Sequence, residues 1–171
     1  MVCLPLKNMK KMKNYFTKMI AVALTIFTTM GFAACSSDDD DDDSAVSVTE
    51  AQLIGTWESV LSESYVIYNG QRYSAAELEW DGGNDRAQFK ADHTYCTYYW
   101  NSRSQSWVIE PSDNGVWSLN GNIITITFDK DGYVSTAPIT EFSASRMVIK
   151  QTEDDEEGGV INVYNVFKKI N

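Results

Sequence analysis

Apolar and polar side chains alternate in short runs along the second half of the chain. In the run NIITITF, Ile124, Ile126 and Phe128 fall on one face and two threonines fall on the other, which is the period of two of a β-strand. Similar runs are Tyr65–Tyr68, Gln71–Tyr73, Thr94–Trp100, Gly115–Leu119, Tyr133–Ala137, Met147–Thr152 and Val160–Ile170. Eight or nine such strands, closely spaced, predict an all-β sandwich or barrel.

Turn residues separate these runs. Asn69-Gly70 and Asn120-Gly121 are strong hairpin signals, because both residues tolerate the positive φ of a two-residue turn. Asp129–Gly132 predicts another tight turn, and the acidic segment Glu153–Gly159 predicts a solvated hairpin tip. Each turn connects neighbouring strands of an antiparallel sheet.

One short helix is also predicted. Ser74-Ala75-Ala76-Glu77 has the spacing of a capping box, in which the serine oxygen accepts a hydrogen bond from the glutamate amide. Gly82-Gly83 would end that helix.

The first thirty-four residues have the pattern of a targeting segment. The uncharged run Met19–Ala34 is sixteen residues long, which is short for a membrane span, and two alanines precede Cys35. Met9 or Met12 could be the true start instead of Met1. The basic residues before the run are Lys7, Lys10, Lys11, Lys13 and Lys18. We therefore interpret residues 1–34 as a signal peptide.

Phe32-Ala33-Ala34-Cys35 resembles a bacterial lipobox, with phenylalanine where leucine is commonest. The resemblance implies that the Cys35 thiol carries acyl chains such as palmitate, which anchor a protein through buried methylenes. Asp38–Asp43 repel one another, so residues 35–48 are expected to form an extended tether. Two serines followed by acids are similar to the surface-export signal of Bacteroidota lipoproteins. This implies an outer-membrane lipoprotein of a Gram-negative bacterium, exposed at the cell surface.

Charge excludes one class of partner. Beyond the leader, nine basic residues face twenty-four acidic ones, a net charge of −15. Such a surface repels nucleic acid. Residues 49–171 suit a single domain, which we expect to be a monomer. Cys96 has no partner for an internal disulfide, so packing must stabilise the domain.

The motif Gly55-Thr56-Trp57 opens this domain, and Phe89–Tyr95, Gly115–Trp117 and Met147–Ile149 follow it in order. The first motif is similar to the Gly-x-Trp signature of lipocalins, and the whole series resembles the lipocalin-like domains of Bacteroidota lipoproteins. His93 stands where glycine is usual. The resemblance implies an eight-stranded antiparallel up-and-down barrel, which is wide enough to hold one small ligand or to fill with side chains. Trp57 would close its floor under a basic residue, for which Arg146, Lys168 and Lys169 are candidates.

Aromatic residues crowd the span from Tyr95 to Trp117. Because consecutive side chains point to opposite faces, the rings can fill the barrel, surround an apolar ligand, or stack on sugars outside. We expect a non-catalytic binder of a small, largely apolar molecule, with a glycan-binding or accessory envelope protein as the alternative. The ligand-lining residues would be Tyr95, Tyr98, Trp100, Trp117, Ile124 and Ile126.

Catalytic and metal chemistry find little support in the sequence. His93 is the single histidine, and a zinc site needs three or four nitrogen or sulfur ligands. No nucleophile elbow surrounds a serine. Asp129-x-Asp131-Gly132 lacks the remaining ligands of a calcium loop, and Cys96 is expected to pack in the core. We therefore expect no enzyme, metal or cofactor.

Overall fold

A computed structural model of the protein describes residues 46–78, 85–154 and 159–170. The elements in these ranges are α1 (Glu50–Leu53), β1 (Gly55–Ser59), β2 (Tyr65–Tyr68), β3 (Gln71–Ser74), β4 (Arg86–Phe89), β5 (Thr94–Asn101), β6 (Ser106–Ile109), β7 (Gly115–Asn120), β8 (Ile123–Phe128), β9 (Val134–Phe142), β10 (Arg146–Asp154) and β11 (Val160–Ile170). Short 3₁₀ turns lie at Leu61–Glu63 and Pro111–Asp113. No helix in this part of the chain has the length and apolar character needed to cross a membrane.

The strands form one closed antiparallel barrel, as expected. The sheet runs β1-β4-β5-β7-β8-β9-β10-β11, and β11 pairs back with β1. Three strands of the barrel are interrupted, so that each consists of two segments. The first consists of β1 and β2, which both pair with β11, and the second of β3 and β4, which pair with β2 and β1. The third consists of β6 and β7, which both pair with β5. Counting each interrupted strand once gives eight, which confirms the predicted barrel.

Helix α1 and the start of β1 close one end of the barrel. The Trp57 side chain is fully buried, and its indole Nε1 donates to the Leu53 carbonyl at 2.8 Å. Lys169 is the basic residue that the resemblance called for, because its Nζ lies 5.1 Å from the Trp57 ring centroid and donates to the Gln52 carbonyl at 2.7 Å. Gly55 has φ +139°, and a Cβ there would lie 2.7 Å from Lys169 Cε. Position 55 therefore favours glycine for two reasons: its backbone conformation and the lack of space for a Cβ beside Lys169.

The helix predicted after Ser74 is wrong over the residues described. Ser74 and Glu77 do exchange the bonds of a capping box, but residues 75–78 form a hydrogen-bonded turn, and residues 79–84 lie outside the described ranges. The short α-helix is instead at Glu50–Leu53, where Thr49 and Gln52 form their own capping box. A capping box satisfies the first amides of a turn whether or not a helix continues from it.

One strand boundary and one whole strand also differ from the prediction. β9 continues through Pro138 to Phe142, whereas the alternation suggested an end at Ala137. Pro138 pairs with Ile123 at the last position of the β8–β9 ladder, where a missing N–H disturbs the ladder least. The strand at Ser106–Ile109 was not predicted, because its polar flanks resemble a loop.

The turns follow the sequence. Asn69 and Gly70 both have positive φ, as does Gly121, and β2–β3 and β7–β8 are hairpins across them. Strands β10 and β11 pair from Arg146 with Lys168 to Asp154 with Val160, so they flank the acidic segment as predicted. Residues 155–158 of that segment lie outside the described ranges.

Candidate ligand-binding site

A cavity of about 310 Å³ occupies the barrel interior above the floor. This volume lies at the small end of the range for ligand pockets, which is about 300–1,000 Å³. Strands β4, β5, β8, β9, β10 and β11 contribute side chains that face inward. The apolar residues of its wall are Ala87, Phe89, Ile124, Ile126, Phe128, Ala137, Met147, Ile149 and Phe167.

The cavity is not uniformly apolar. Its polar lining comes from chain segments at the end of the barrel opposite the Trp57 floor, where β1 ends, β4 begins and β10 approaches its last residues. The cavity is therefore amphipathic, with an apolar depth and a polar end. The polar residues of the wall, apart from tyrosines, are Ser59, Asp85, Thr97, Glu110, Asp113, Ser135, Gln151 and Asn165.

Thr97 carries a buried hydroxyl in this wall. The residue is only 3% exposed, and its Oγ1 has no hydrogen-bond partner among the described residues. Buried hydroxyls are nearly always hydrogen-bonded, because desolvating one without compensation costs about 1–3 kcal/mol. Thr97, a residue of the cavity wall, thus keeps one unused donor and acceptor.

Three carboxylates line the polar end, and the lining residues include no lysine, arginine or histidine. Glu110 is occupied structurally: its Oε1 accepts from the Ser112 hydroxyl at 2.7 Å and from the Ser112 amide at 3.3 Å. These bonds hold the pKa of Glu110 below its ordinary value. The Ser112 hydroxyl also lies 3.1 Å from Asp113 Oδ1, but it has one proton to donate.

Asp85 and Asp113 differ from Glu110 in their environment. Burial raises the pKa of Asp85, and repulsion from Asp113 raises it further. Burial is also the main cause of the raised pKa of Asp113, to which repulsion from Glu110 adds, while the nearby Ser112 hydroxyl and Lys130 act in the opposite direction. Both aspartates therefore sit where an ionised carboxylate is incompletely compensated by the protein.

Tyr95 connects the apolar and polar parts of the wall. Its side chain is buried and packs on Phe89, with ring centroids 5.3 Å apart. Burial raises the pKa of the Tyr95 hydroxyl, with further contributions from Asp113 and Asp85. The two aspartates thus act on the same ring, which stays protonated and able to donate a hydrogen bond.

A family model described as a lipocalin-like domain matches residues 53–149 of the chain. This covers more than half of the sequence. The chain belongs to the lipocalin-like domain family. No curated protein matches it.

Solved structures similar to this lipocalin-like chain include three of bovine odorant-binding protein. The complex with a selenium-containing odorant is 15% identical, with 81% of this chain and 78% of that one covered and a TM-score of 0.38. The complex with undecanal is 17% identical, with 79% of this chain and 78% of that one covered and a TM-score of 0.36. The protein from nasal mucosa is 18% identical, with 74% of this chain and 76% of that one covered and a TM-score of 0.37.

The lipocalin-like cavity brings together four of the six residues predicted to surround a ligand. Tyr95, Ile124 and Ile126 line it with inward-facing side chains, and Tyr98 contributes to the wall. The Tyr98 hydroxyl, however, donates to Gln88 Oε1 at 2.9 Å, on the strand face opposite that of Tyr95. Whether any of these residues contacts a ligand stays a prediction.

Trp100 and Trp117 do not line the cavity, contrary to the prediction. Trp100 is 48% exposed and packs edge-on against Trp107, with centroids 5.6 Å apart. It lies an odd number of residues from Tyr95, so the alternation of a strand puts it on the outer face. Trp117 is buried among core residues, where its Nε1 donates to the Lys90 carbonyl at 3.0 Å.

Sequence reasoning missed Asp85, Thr97 and Asp113. Thr97 and Tyr99 both line the cavity and alternate with Tyr95, so a strict period of two from Tyr95 could have found them. No comparable signal identifies the aspartates, because they lie outside regular strands: Asp85 directly precedes β4, and Asp113 is in the 3₁₀ turn before β7.

The residues considered for other chemistry lie away from the cavity. His93 adopts φ +63°, the conformation for which glycine is usual, and its ring packs on Trp117 at 5.1 Å. Its Nε2 lies 3.7 Å from Glu50 Oε2, near the floor. Cys96 is free and buried, as expected of a packing residue. Within the described ranges, no cluster of three or more His, Cys, Asp or Glu residues could hold a metal ion.

Proposed function

We propose that this protein is a non-catalytic binder that holds a small, largely apolar molecule inside its barrel. The observation that carries the proposal is the interior cavity of about 310 Å³, walled by nine apolar side chains. A pocket with an apolar wall and a few polar groups at one end is the ordinary form of a small-molecule site. A barrel of this size could equally have been filled by its own side chains.

A cavity-filling variant tests the proposal. Ala137 lines the cavity on β9, whereas its neighbour Thr136 is exposed on the outer face. The Ala137→Phe ring would occupy part of the cavity, so binding of the apolar fluorophore N-phenyl-naphthylamine should fall at least tenfold. The matched Thr136→Phe variant should bind as the unmodified protein does. Equal binding by all three proteins would contradict a site inside the barrel.

Native mass spectrometry of the protein isolated from its own host would then identify a bound molecule. A mass above that of the acylated chain, lost under activation and absent from the Ala137→Phe variant, is the expected result. Consistent detection of the chain alone would count against binding.

We also propose that acyl chains on Cys35 hold the domain at the outer membrane, facing outward, with the aspartate run as a spacer. The support is the sequence pattern itself, and residues 1–45 lie outside the described ranges. Labelled palmitate should enter the protein, and Cys35→Ala should release it from the membrane fraction. Protease added to intact cells should remove the barrel; its survival would contradict exposure at the surface.

One observation favours a second function, glycan binding on the barrel exterior. Trp100 is 48% exposed beside Trp107, and the Arg86 guanidinium lies 3.9 Å from the Trp107 ring centroid. Exposed aromatic faces can stack on apolar faces of sugars. If glycans bind here, Trp100→Ala should abolish retardation in polysaccharide gels while Ala137→Phe leaves it unchanged; the opposite result would assign binding to the cavity.

A further inference from the structure

We propose that the molecule held in the barrel is an amphiphilic amine, with its protonated nitrogen between Asp85 and Asp113 and its apolar body among the deeper side chains. This inference rests on the proposed function and specifies the ligand's chemical class. The wall presents carboxylates at one end, and no basic side chain lines the cavity to neutralise them. An ionised carboxylate can only accept hydrogen bonds, so the complementary ligand group is a donor with positive charge.

The aspartates are the available members of the acidic group. Glu110 already accepts two hydrogen bonds from Ser112. The Asp85 carboxylate receives no hydrogen bond from a described residue, since the bonds of this residue to Ser59 are made by its backbone. Two basic residues near these segments do not line the cavity: the Arg86 Nε lies 2.8 Å from Glu58 Oε2, and Lys130 acts on Asp113 from outside the cavity wall.

Thr97 supplies independent evidence for a polar ligand group at the same place. Its buried Oγ1 has no partner among the described residues, and Thr97 pairs with Ala87, two residues after Asp85. The Thr97 carbonyl accepts from the Glu110 amide at 2.9 Å, which fixes the segment carrying Asp113 against β5. Residue Thr97 therefore lies between the two aspartate-bearing segments, and its unpartnered hydroxyl is the group in this part of the wall that can accept a hydrogen bond from an ammonium group.

The remainder of the cavity suits the apolar part of such a molecule. Phe89, Ile124, Ala137 and Met147 line the wall toward the floor, and they have no polar side-chain atoms to satisfy. Burying a hydrocarbon chain there gains about 0.8 kcal/mol per methylene. The chain gives affinity, and the aspartates select the amine over an alcohol or acid of the same length.

Competition against N-phenyl-naphthylamine fluorescence tests this selection in the purified full-length protein. The dissociation constant of octylamine, measured by displacement of the probe, should be about tenfold lower than that of octanol, and octanoate should be the weakest competitor. The double variant Asp85→Asn/Asp113→Asn should lose the preference for octylamine over octanol. The control Asp154→Asn removes one exposed charge outside the cavity wall and should keep the preference.

The outcomes separate this inference from the proposed function. Equal affinity for octylamine and octanol, unchanged in the double variant, would overturn the amine assignment and leave an apolar binder. Failure of the probe and all three competitors to bind would overturn both. If the double variant does not fold, salt gives a second measurement. Added sodium chloride should weaken the binding of octylamine but not that of octanol, and an identical salt dependence of the two would overturn the inference.

Discussion

Replacing Thr97 with valine should make the unliganded protein more stable. Threonine and valine have nearly the same shape, and both are β-branched residues that suit a strand. The Thr97 side chain is 3% exposed, with Oγ1 unpartnered among the described residues, so the substitution replaces a desolvated hydroxyl by a methyl group. An unsatisfied buried hydroxyl costs about 1–3 kcal/mol.

We take the lower part of that range, because the adjoining cavity can relieve some of the penalty. Thr97→Val should therefore raise the unfolding free energy by about 1 kcal/mol. For a domain of this size, the corresponding rise in melting temperature is about 4 °C. Urea denaturation followed by tryptophan fluorescence measures the change, and an unaltered slope against urea concentration shows that the unfolded state is unaffected.

Thr56→Val provides the matched control. Thr56 Oγ1 accepts from Gln88 Nε2 at 3.3 Å on the outer face of β1, so valine there removes a hydrogen bond and should cost about 0.5–1 kcal/mol. Equal destabilisation by Thr97→Val and Thr56→Val would refute the reasoning, because it would mean that the Thr97 hydroxyl is satisfied in the free protein. If the hydroxyl contacts an ammonium group, Thr97→Val should also weaken octylamine binding while it stabilises the fold.

Three further substitutions test the floor and the acidic end by thermal and urea denaturation. Trp57→Phe removes the buried 2.8 Å bond to the α1 carbonyl and some ring volume, so it should cost about 2–3 kcal/mol, whereas Trp100→Phe at the exposed ring should change stability by less than about 0.5 kcal/mol. Gly55→Ala should lower the unfolding free energy by about 1–2 kcal/mol. Adding Lys169→Ala should not restore it, because the backbone strain at φ +139° remains after the contact is removed. Asp113→Asn should raise the melting temperature at neutral pH, because burial raises the pKa of Asp113 in the fold and so disfavours its ionised form. That gain should be present above the raised folded-state pKa and vanish as pH falls below the ordinary aspartate value of about 3.9; a gain that is independent of pH would contradict the assignment.

Much of the barrel followed from local patterns. Alternation identified the strands around Ile124 and Tyr95, and Asn-Gly pairs placed two hairpins, because strand period and turn conformation depend on neighbouring residues alone. The helix after Ser74 was wrong for the same reason: its capping box is a local feature, whereas continuation beyond Leu78 depends on tertiary packing.

The ligand-lining set was predicted less well. Combining Tyr95 with Trp100 mixed the two faces of one strand, and only Tyr95 faces the interior. Alternation states which side chains share a face, but both faces of β5 carry aromatic residues, so composition does not tell which face is inside.

The sequence by itself determined that the domain is built from strands and that Trp57 lies near the first of them, since these features depend on short-range spacing; the choice of a barrel over a sandwich came from the resemblance to lipocalin-like domains. Only the tertiary structure decided that Lys169 covers Trp57, that the barrel keeps a cavity, and that Asp85 and Asp113 both line it. Those results depend on how residues far apart in the chain fill a shared volume, and the volume left over is a small difference between the size of the barrel and the side chains from all its strands.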